Sequence, residues 1–314
     1  MKKDFTVDPA AGAVAEIEIK EKSRMKKSSI FNRNWAYLFV IVPIVLQLIF
    51  FYLPMIQGFF YSLTDWTGLT SNYNFVGLQN FQNILSDQKF MKSVGFTAVF
   101  TVGLIIGEIV LGIVVARFLN KRLKGVGFFR TAYFFPAVLS TVTLGLIFKQ
   151  VFNYGLPQIG EKLGIEFLQQ NLIANEKTVF LGVLFVALWQ GVAMPIVIFL
   201  SGLQSIPDDI LEAASIDGAT NWQKFTAIEI PYLLPSLSMV FIMALKAGLT
   251  AFDLIYALTG GGPSDKTTTL GLLVYNYAFK NNQYGYANAI AVVLFLVIAV
   301  ISLLQIKLSK RYEV

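Results

Sequence analysis

Six long apolar runs, divided by shorter polar segments, follow a polar opening stretch at residues 1–33. A helix crossing the hydrocarbon core of a bilayer needs about 20 residues, and runs at roughly 36–61, 94–119, 128–152, 178–203, 236–258 and 286–307 satisfy that length. The pattern predicts an all-α polytopic membrane protein with six transmembrane helices. Two runs should be irregular. The third, "FFRTAYFFPAVLSTVTLGLIFKQVF", contains Pro136, and the fourth contains Gly191 and Pro195 within "WQGVAMP". Proline removes a backbone donor and crowds the preceding turn, so both runs are expected to kink.

Lysine and arginine set the expected orientation. The opening tail carries Lys20, Lys22, Arg24, Lys26, Lys27 and Arg33, the link after the second run Arg117, Lys121, Arg122 and Lys124, and the end of the chain Lys307, Lys310 and Arg311. With six crossings these three segments share one side. Cytoplasmic loops of membrane proteins hold the excess of basic residues, so both termini are expected in the cytoplasm. The tail at 1–33 has no apolar h-region or small-residue cleavage site and is expected to be a cytoplasmic extension, with the transmembrane domain at 34–314.

Composition narrows the chemistry. The chain is 55% hydrophobic and 14% charged, with mean hydropathy +0.63, against roughly 25% charged in soluble domains. It has no cysteine and no histidine. Disulfides, thiolate metal sites, an imidazole base and a Ser-His-Asp triad are therefore excluded within it. An enzyme is disfavoured, and no cofactor or metal is expected on this chain. The net charge of +6 lies beside apolar runs and forms no basic stripe interleaved with aromatics, so no nucleic-acid partner is expected.

The link at 204–235 departs from the charge pattern. It should be cytoplasmic, yet it holds Asp208, Asp209, Glu212, Asp217 and Glu229 against a single Lys224. Such a segment avoids an anionic lipid surface and suits another protein. Ser205 is positioned to cap a helix, with Asp208 three residues on and Pro207 in the first turn. Ile206, Ile210, Ala213 and Ala214 then share a side. Gly218 should end this helix in a left-handed conformation, Thr220–Ile228 should form a second short helix, and Pro231 and Pro235 should redirect the chain into the fifth span. An interfacial amphipathic connector fits the same residues equally well.

Glu212-Ala213-Ala214, three residues, Gly218, nine residues, then Ile228-Glu229-Ile230-Pro231 resembles the EAA loop of ABC-importer permeases, EAA-x3-G-x9-I-x-L-P, with Ile230 in place of leucine. "AFDLIYALTGGGPSDKTTTLGLLVYNYAF" and "GYANAIAVVLFLVIAVIS" are similar to the MalF/UgpA-like carbohydrate branch. So are "PIVLQLIFFYLPMIQGFFYSLTDW" and "FVGLQNF", and the resemblance covers nearly all of the chain after residue 35. It implies a type I ABC importer permease fold in a bacterial inner or plasma membrane, forming half of a sugar pathway. It implies a second homologous permease, a cytoplasmic ATPase dimer holding ATP and Mg, and an extracytoplasmic sugar-binding protein. Glu212, Ala213, Ala214, Asp217, Gly218, Ile228 and Pro231 would then couple to the ATPase. Gly260, Gly261, Gly262 and Pro263 would form an outer turn near the docked binding protein.

Polar groups inside spans are the remaining candidates. Lys246, Thr250 and Asp253 are spaced i, i+4 and i+7 on the fifth run, and Tyr256 extends that stripe. Hydroxyl-bonding groups beside an aromatic suit a neutral sugar. Pairing of Lys246 with Glu108 of the second run is the structural alternative. Gln190 and Asn288 are expected to hydrogen-bond between helices, and Arg117 to reach for the interface. Gly260 to Thr267 imitates a P-loop, but Asp265 stands at the second glycine and no strand is expected before it, which excludes phosphate binding. The rival functions are a permease of the same superfamily for a polyamine or glycerol phosphate, and a secondary transporter that needs no ATPase.

Overall fold

The structure, a computed structural model, describes residues 37–121 and 125–309. The expected tail at 1–33 and several basic residues used for orientation, Arg122 and Lys310 among them, lie outside that range. The chain divides into two units, Met1–Gly58 and Phe59–Val314. The first supplies most of α1 (Tyr37–Tyr61), whose composition and length suit a membrane crossing.

The second unit is helical, and its only β pairing among the described residues is an isolated bridge between Thr64 and Phe75. Its helices are α2 (Gln79–Ser86), α3 (Gln88–Leu119), α4 (Val126–Val138), α5 (Thr141–Leu163), α6 (Val179–Gly191) and α7 (Ala193–Gln204). Then come α8 (Asp208–Ile216), α9 (Asn221–Tyr232), α10 (Leu234–Leu249), α11 (Asp253–Leu258), α12 (Leu270–Tyr275) and α13 (Tyr284–Ser309). Three helices, α1, α3 and α13, are long and apolar enough to cross a membrane unbroken. Three bent pairs bring the number to six if each is one crossing: α4–α5 at 96°, α6–α7 at 50° and α9–α10 at 68°.

The breaks have sequence causes. The α4–α5 bend comes three residues after Pro136, where Leu139 is extended at ψ 143°. The α6–α7 bend follows Gly191, and Pro195 falls in the first turn of α7, where a missing N–H costs nothing. Three of the four π-helical turns among the described residues, Leu48–Tyr52, Val151–Gly155 and Phe225–Glu229, are each followed two residues later by a proline, Pro54, Pro157 and Pro231, whereas Asn276–Lys280 is not. In each, the residue before the proline donates to a carbonyl five residues back, as Ile230 does to Phe225. Widening the turn opens room for a ring that would otherwise strike the carbonyl four residues earlier.

The α3 helix lies at the centre, packed along α10 and α7. Its buried positions Thr97, Thr101, Leu104, Glu108, Gly112, Ala116 and Leu119 recur at helical spacing. Its exposed face carries Val99, Val102, Ile106, Val110, Val114 and Phe118. Polar groups inside and apolar groups outside is the arrangement a lipid solvent demands.

Span five is not the continuous helix expected at 236–258. It ends at Leu249, residues 250–252 are non-helical, and α11 begins at Asp253. Lys246, Thr250 and Asp253 therefore do not share a helical face. Thr250 closes the end of α10 instead, its Oγ1 donating to the Lys246 carbonyl at 2.8 Å.

Candidate functional site

The 204–235 loop forms two helical arms around a tight turn. Ser205 does not cap the first arm, because its Oγ turns back to donate to the Gly202 carbonyl at 2.7 Å. Pro207, extended at ψ 133°, is the capping residue of α8. Ile206 consequently precedes the helix and is buried in the core, not aligned with Ile210 and Ala213 on one side. Asp208 and Asp209 fall in the first turn, where acidic side chains favour the positive end of the helix dipole.

Gly218 has φ +79° and ends α8 as expected. The Ala219 N–H donates to the Ala214 carbonyl at 2.9 Å and the Gly218 N–H to Ser215 at 3.2 Å, the paired bonds of a Schellman motif. Thr220 then starts the second arm with a capping box: its Oγ1 accepts from Gln223 N at 3.3 Å, and Gln223 Oε1 accepts from Thr220 N at 2.8 Å. Lys224 Nζ donates to Ser215 Oγ at 2.6 Å and ties the arms together.

The coupling residues expected from the sequence divide between two faces. Glu212, Ala213, Asp217 and Gly218 are exposed with Asp208 and Asp209. Ala214 is half-buried, and Ile228, also half-buried, packs on the core with Leu211 and Phe225. Pro231 is exposed beside the bend into α10. On the same loop, Ile216 is 85% exposed and Trp222 69% exposed. Glu229 is not part of this outward face. Arg117 Nε lies 2.6 Å from its Oε2, Arg117 Nη2 donates to Oε1 at 3.2 Å, and the guanidinium sits 4.3 Å from the centroid of the Phe225 ring. Arg117 thus turns into the protein, not toward the interface.

A second feature is a cavity of about 370 Å³ lined by Phe100, Leu104 and Glu108 of α3, Gln190 and Gly191 of α6, and Thr250 to Leu254 at the break before α11. Glu108 is 5% exposed and lies against Gly191, where an added Cβ would come 2.5 Å from its Oε1. Gln190 Nε2 donates to the Leu139 carbonyl at 3.0 Å and to Thr141 Oγ1 at 3.2 Å, satisfying the α4–α5 break. Asn288 bonds only within its own helix, donating to the Tyr284 carbonyl at 2.9 Å. Of the expected stripe, Thr250 and Asp253 line this cavity, whereas Lys246 and Tyr256 do not. Lys246 makes no ion pair with Glu108, and Tyr256 stacks on Phe252 with centroids 5.4 Å apart. The break that removed the common face is what brings Asp253 to the cavity.

The glycine turn is anchored by threonines. Gly260 and Gly261 have φ of +62° and +95°. Buried Thr267 donates through Oγ1 to the Gly262 carbonyl at 2.7 Å, and Thr269 Oγ1 donates to the Ala251 carbonyl at 2.6 Å. The exposed tip is Ser264, Asp265 and Lys266, while Gly261 is buried. The preceding element is the helix α11, not a strand, so the P-loop likeness has no structural counterpart. Nearby, Asp87 Oδ2 accepts from Tyr277 at 2.6 Å and Tyr286 at 3.0 Å. Burial alone would raise the Asp87 carboxyl, but the two hydroxyls and the backbone N–H groups of Lys89 and Phe90 hold it below the usual aspartate value.

Residues 108–314 match the family described as "binding-protein-dependent transport system inner membrane component". The chain belongs to this family. It is 63% identical over 285 residues to the multiple sugar-binding transport system permease protein MsmF of Streptococcus mutans, covering 91% of this chain and 98% of that protein. It is 33% identical to the probable starch degradation products permease AmyD of Thermoanaerobacterium thermosulfurigenes, over 92% and 99% of the two chains. It is 31% identical to the sn-glycerol-3-phosphate permease UgpA of Agrobacterium fabrum, over 89% and 96%. Its fold resembles a chain in the crystal structure of a bacterial ABC transporter involved in the import of the acidic polysaccharide alginate, with TM-score 0.76, 20% identity and coverage of 92% and 99%. The chain is therefore a multi-pass membrane component of a binding-protein-dependent transport system.

Proposed function

We propose that this chain is one permease subunit of an ATP-driven sugar importer in a bacterial cytoplasmic membrane. It crosses the membrane six times with both termini inside, and it couples to a cytoplasmic ATPase through the 204–235 loop. The observation that carries the reading is the rigid helix–turn–helix of that loop. It exposes apolar Ile216 and Trp222 on the same loop as exposed Asp208, Asp209, Glu212 and Asp217. Exposed apolar and acidic side chains on one loop suit a protein partner better than an anionic lipid surface. A second homologous permease completes the pathway, ATP and Mg are held by a pair of ATPase subunits, and a sugar-binding protein docks outside, near the Ser264–Lys266 tip.

The substrate class rests on the cavity. Its polar groups are two carboxyls, Glu108 and Asp253, with Gln190, Thr141 and Thr250, beside the ring of Phe252. Carboxyls and amides accept and donate to sugar hydroxyls, and an aromatic face packs on a sugar ring. No lysine or arginine lines it, which supports a neutral sugar over an anion such as glycerol phosphate. Two of the relatives are named for sugars, multiple sugars and starch degradation products.

The test is co-purification of the complete transporter with Glu212→Lys and Gly218→Pro. Both variants are expected to lose the ATPase and the ATP hydrolysis stimulated by loaded binding protein. Unchanged assembly and hydrolysis in both refutes the docking role. Uptake of neutral oligosaccharides but not of glycerol phosphate by the wild-type complex tests the substrate class.

A further inference from the structure

The docking face of the 204–235 loop and the cavity at mid-helix are separate features, and one helix joins them. Arg117 stands in the last turn of α3, where a cation is favoured by the helix dipole. It grips Glu229, 112 residues away in sequence, through an ion pair at 2.6 Å and a hydrogen bond at 3.2 Å, and it stacks on Phe225 from the same π-helical turn. The Glu229 side chain is 16% exposed and that of Arg117 36%, so solvent screens the pair less than one wholly at the surface.

The helix that carries Arg117 continues unbroken through Glu108, nine residues away or about 13 Å along the axis at 1.5 Å per residue. Glu108, Leu104 and Phe100 all line the cavity. The two arms of the loop are tied directly to this contact. Ser215 of α8 holds Lys224, and Lys224 directly precedes the turn that bears Phe225 and Glu229. That turn ends two residues before Pro231, whose ring favours the wide geometry. Planarity matters here, since a guanidinium can meet the carboxylate through two nitrogens while lying over a ring, which an ammonium cannot do.

We propose that Arg117 and Glu229 are positioning residues that pass movement of the 204–235 loop to α3, and through α3 to the cavity wall. The proposal rests on the docking reading of that loop. It predicts that breaking the pair leaves the ATPase bound and active while transport is uncoupled from it.

The experiment uses the complete transporter in vesicles, with Arg117→Gln, Glu229→Gln and the exchange Arg117→Glu/Glu229→Arg. Each single variant is expected to retain the ATPase on co-purification, while sugar taken up per ATP hydrolysed falls about tenfold. The exchange should recover most of that loss, because it restores the pair in reverse. Arg117→Lys should be intermediate, keeping the charge without the stacked fork. Unchanged sugar-to-ATP ratios in both single variants would overturn the proposal. So would an exchange no better than the singles, or loss of the ATPase from both singles, which would make the pair part of the docking surface. Glu212→Lys and Gly218→Pro, measured alongside, separate the two readings: retention of an active ATPase in both refutes docking by this loop, whatever happens at Arg117.

Discussion

Replacing Gly218 tests whether the turn between the two arms is fixed by backbone conformation. Its φ is +79°, and an added Cβ would meet no heavy atom within 4 Å. The cost of Gly218→Ala is therefore conformational and not a clash, roughly 1–2 kcal/mol for a left-handed alanine. Asparagine enters that region more easily, so Gly218→Asn should cost clearly less. Each 1.4 kcal/mol is a factor of about ten in an opening equilibrium. The N–H groups of Gly218 and Ala219 close the turn onto Ser215 and Ala214. Their hydrogen exchange should thus speed by about five- to thirtyfold in Gly218→Ala and by less in Gly218→Asn. Exchange followed by mass spectrometry on peptides spanning 211–225 reads this directly. Equal exchange in wild type and Gly218→Ala, or faster exchange in Gly218→Asn than in Gly218→Ala, would refute a turn held by positive φ.

Further outcomes follow from the other contacts. Thr97 Oγ1 accepts from the Leu270 N–H at 3.0 Å in a buried setting, so the near-isosteric Thr97→Val should destabilise the protein by about 1–3 kcal/mol in thermal denaturation. In uptake assays with the assembled transporter, Asp253→Ala should impair sugar transport and Lys246→Ala should not, since only Asp253 lines the cavity; the reverse result would return the pathway to the Lys246 face. The depressed pKa of Asp87 contributes stability that is present above the ordinary aspartate pKa of about 4 and is lost as pH falls through the folded value. Burial and the Asp87 carboxylate raise the Tyr277 hydroxyl, so its contribution is present below about pH 10 and lost as pH rises through the higher folded value. Melting temperature against pH should therefore fall less steeply on the acid side in Asp87→Asn, and on the alkaline side in Tyr277→Phe.

Much of this was legible in the residues because the signals are local. Apolar run length located the helices, Pro136, Gly191 and the pair Pro231 and Pro235 marked the three bends, and Gly218 announced a left-handed cap. The spacing from Glu212 to Pro231 marked two helical arms around a turn at Gly218, and both arms are present. What failed depended on contacts between distant segments. Periodicity placed Lys246, Thr250 and Asp253 on one face, but a helix pattern cannot report that the backbone stops at Leu249, where no proline stands. The broken segment is held instead by Thr269, eighteen residues on, which bonds the Ala251 carbonyl. Ser205 had the chemistry of a cap, yet Pro207 next to the helix, fixed at φ −59° and extended in ψ, took the position. Glu229 and Arg117 each looked like a residue facing outward, because opposite charges 112 positions apart carry no mark of being partners. The one available hint was Glu229 lying two residues before a proline that bends the chain back toward the bundle.

The central claim is that the 204–235 loop is covered by a cytoplasmic ATPase. The chain has no cysteine, so Ile216→Cys, at a position 85% exposed, gives a single reporter thiol. Its labelling by a membrane-impermeant maleimide should be fast in inside-out vesicles lacking the ATPase, absent in right-side-out vesicles, and strongly slowed once the ATPase is bound. Equal labelling with and without the ATPase, or labelling from the outside, would contradict the account.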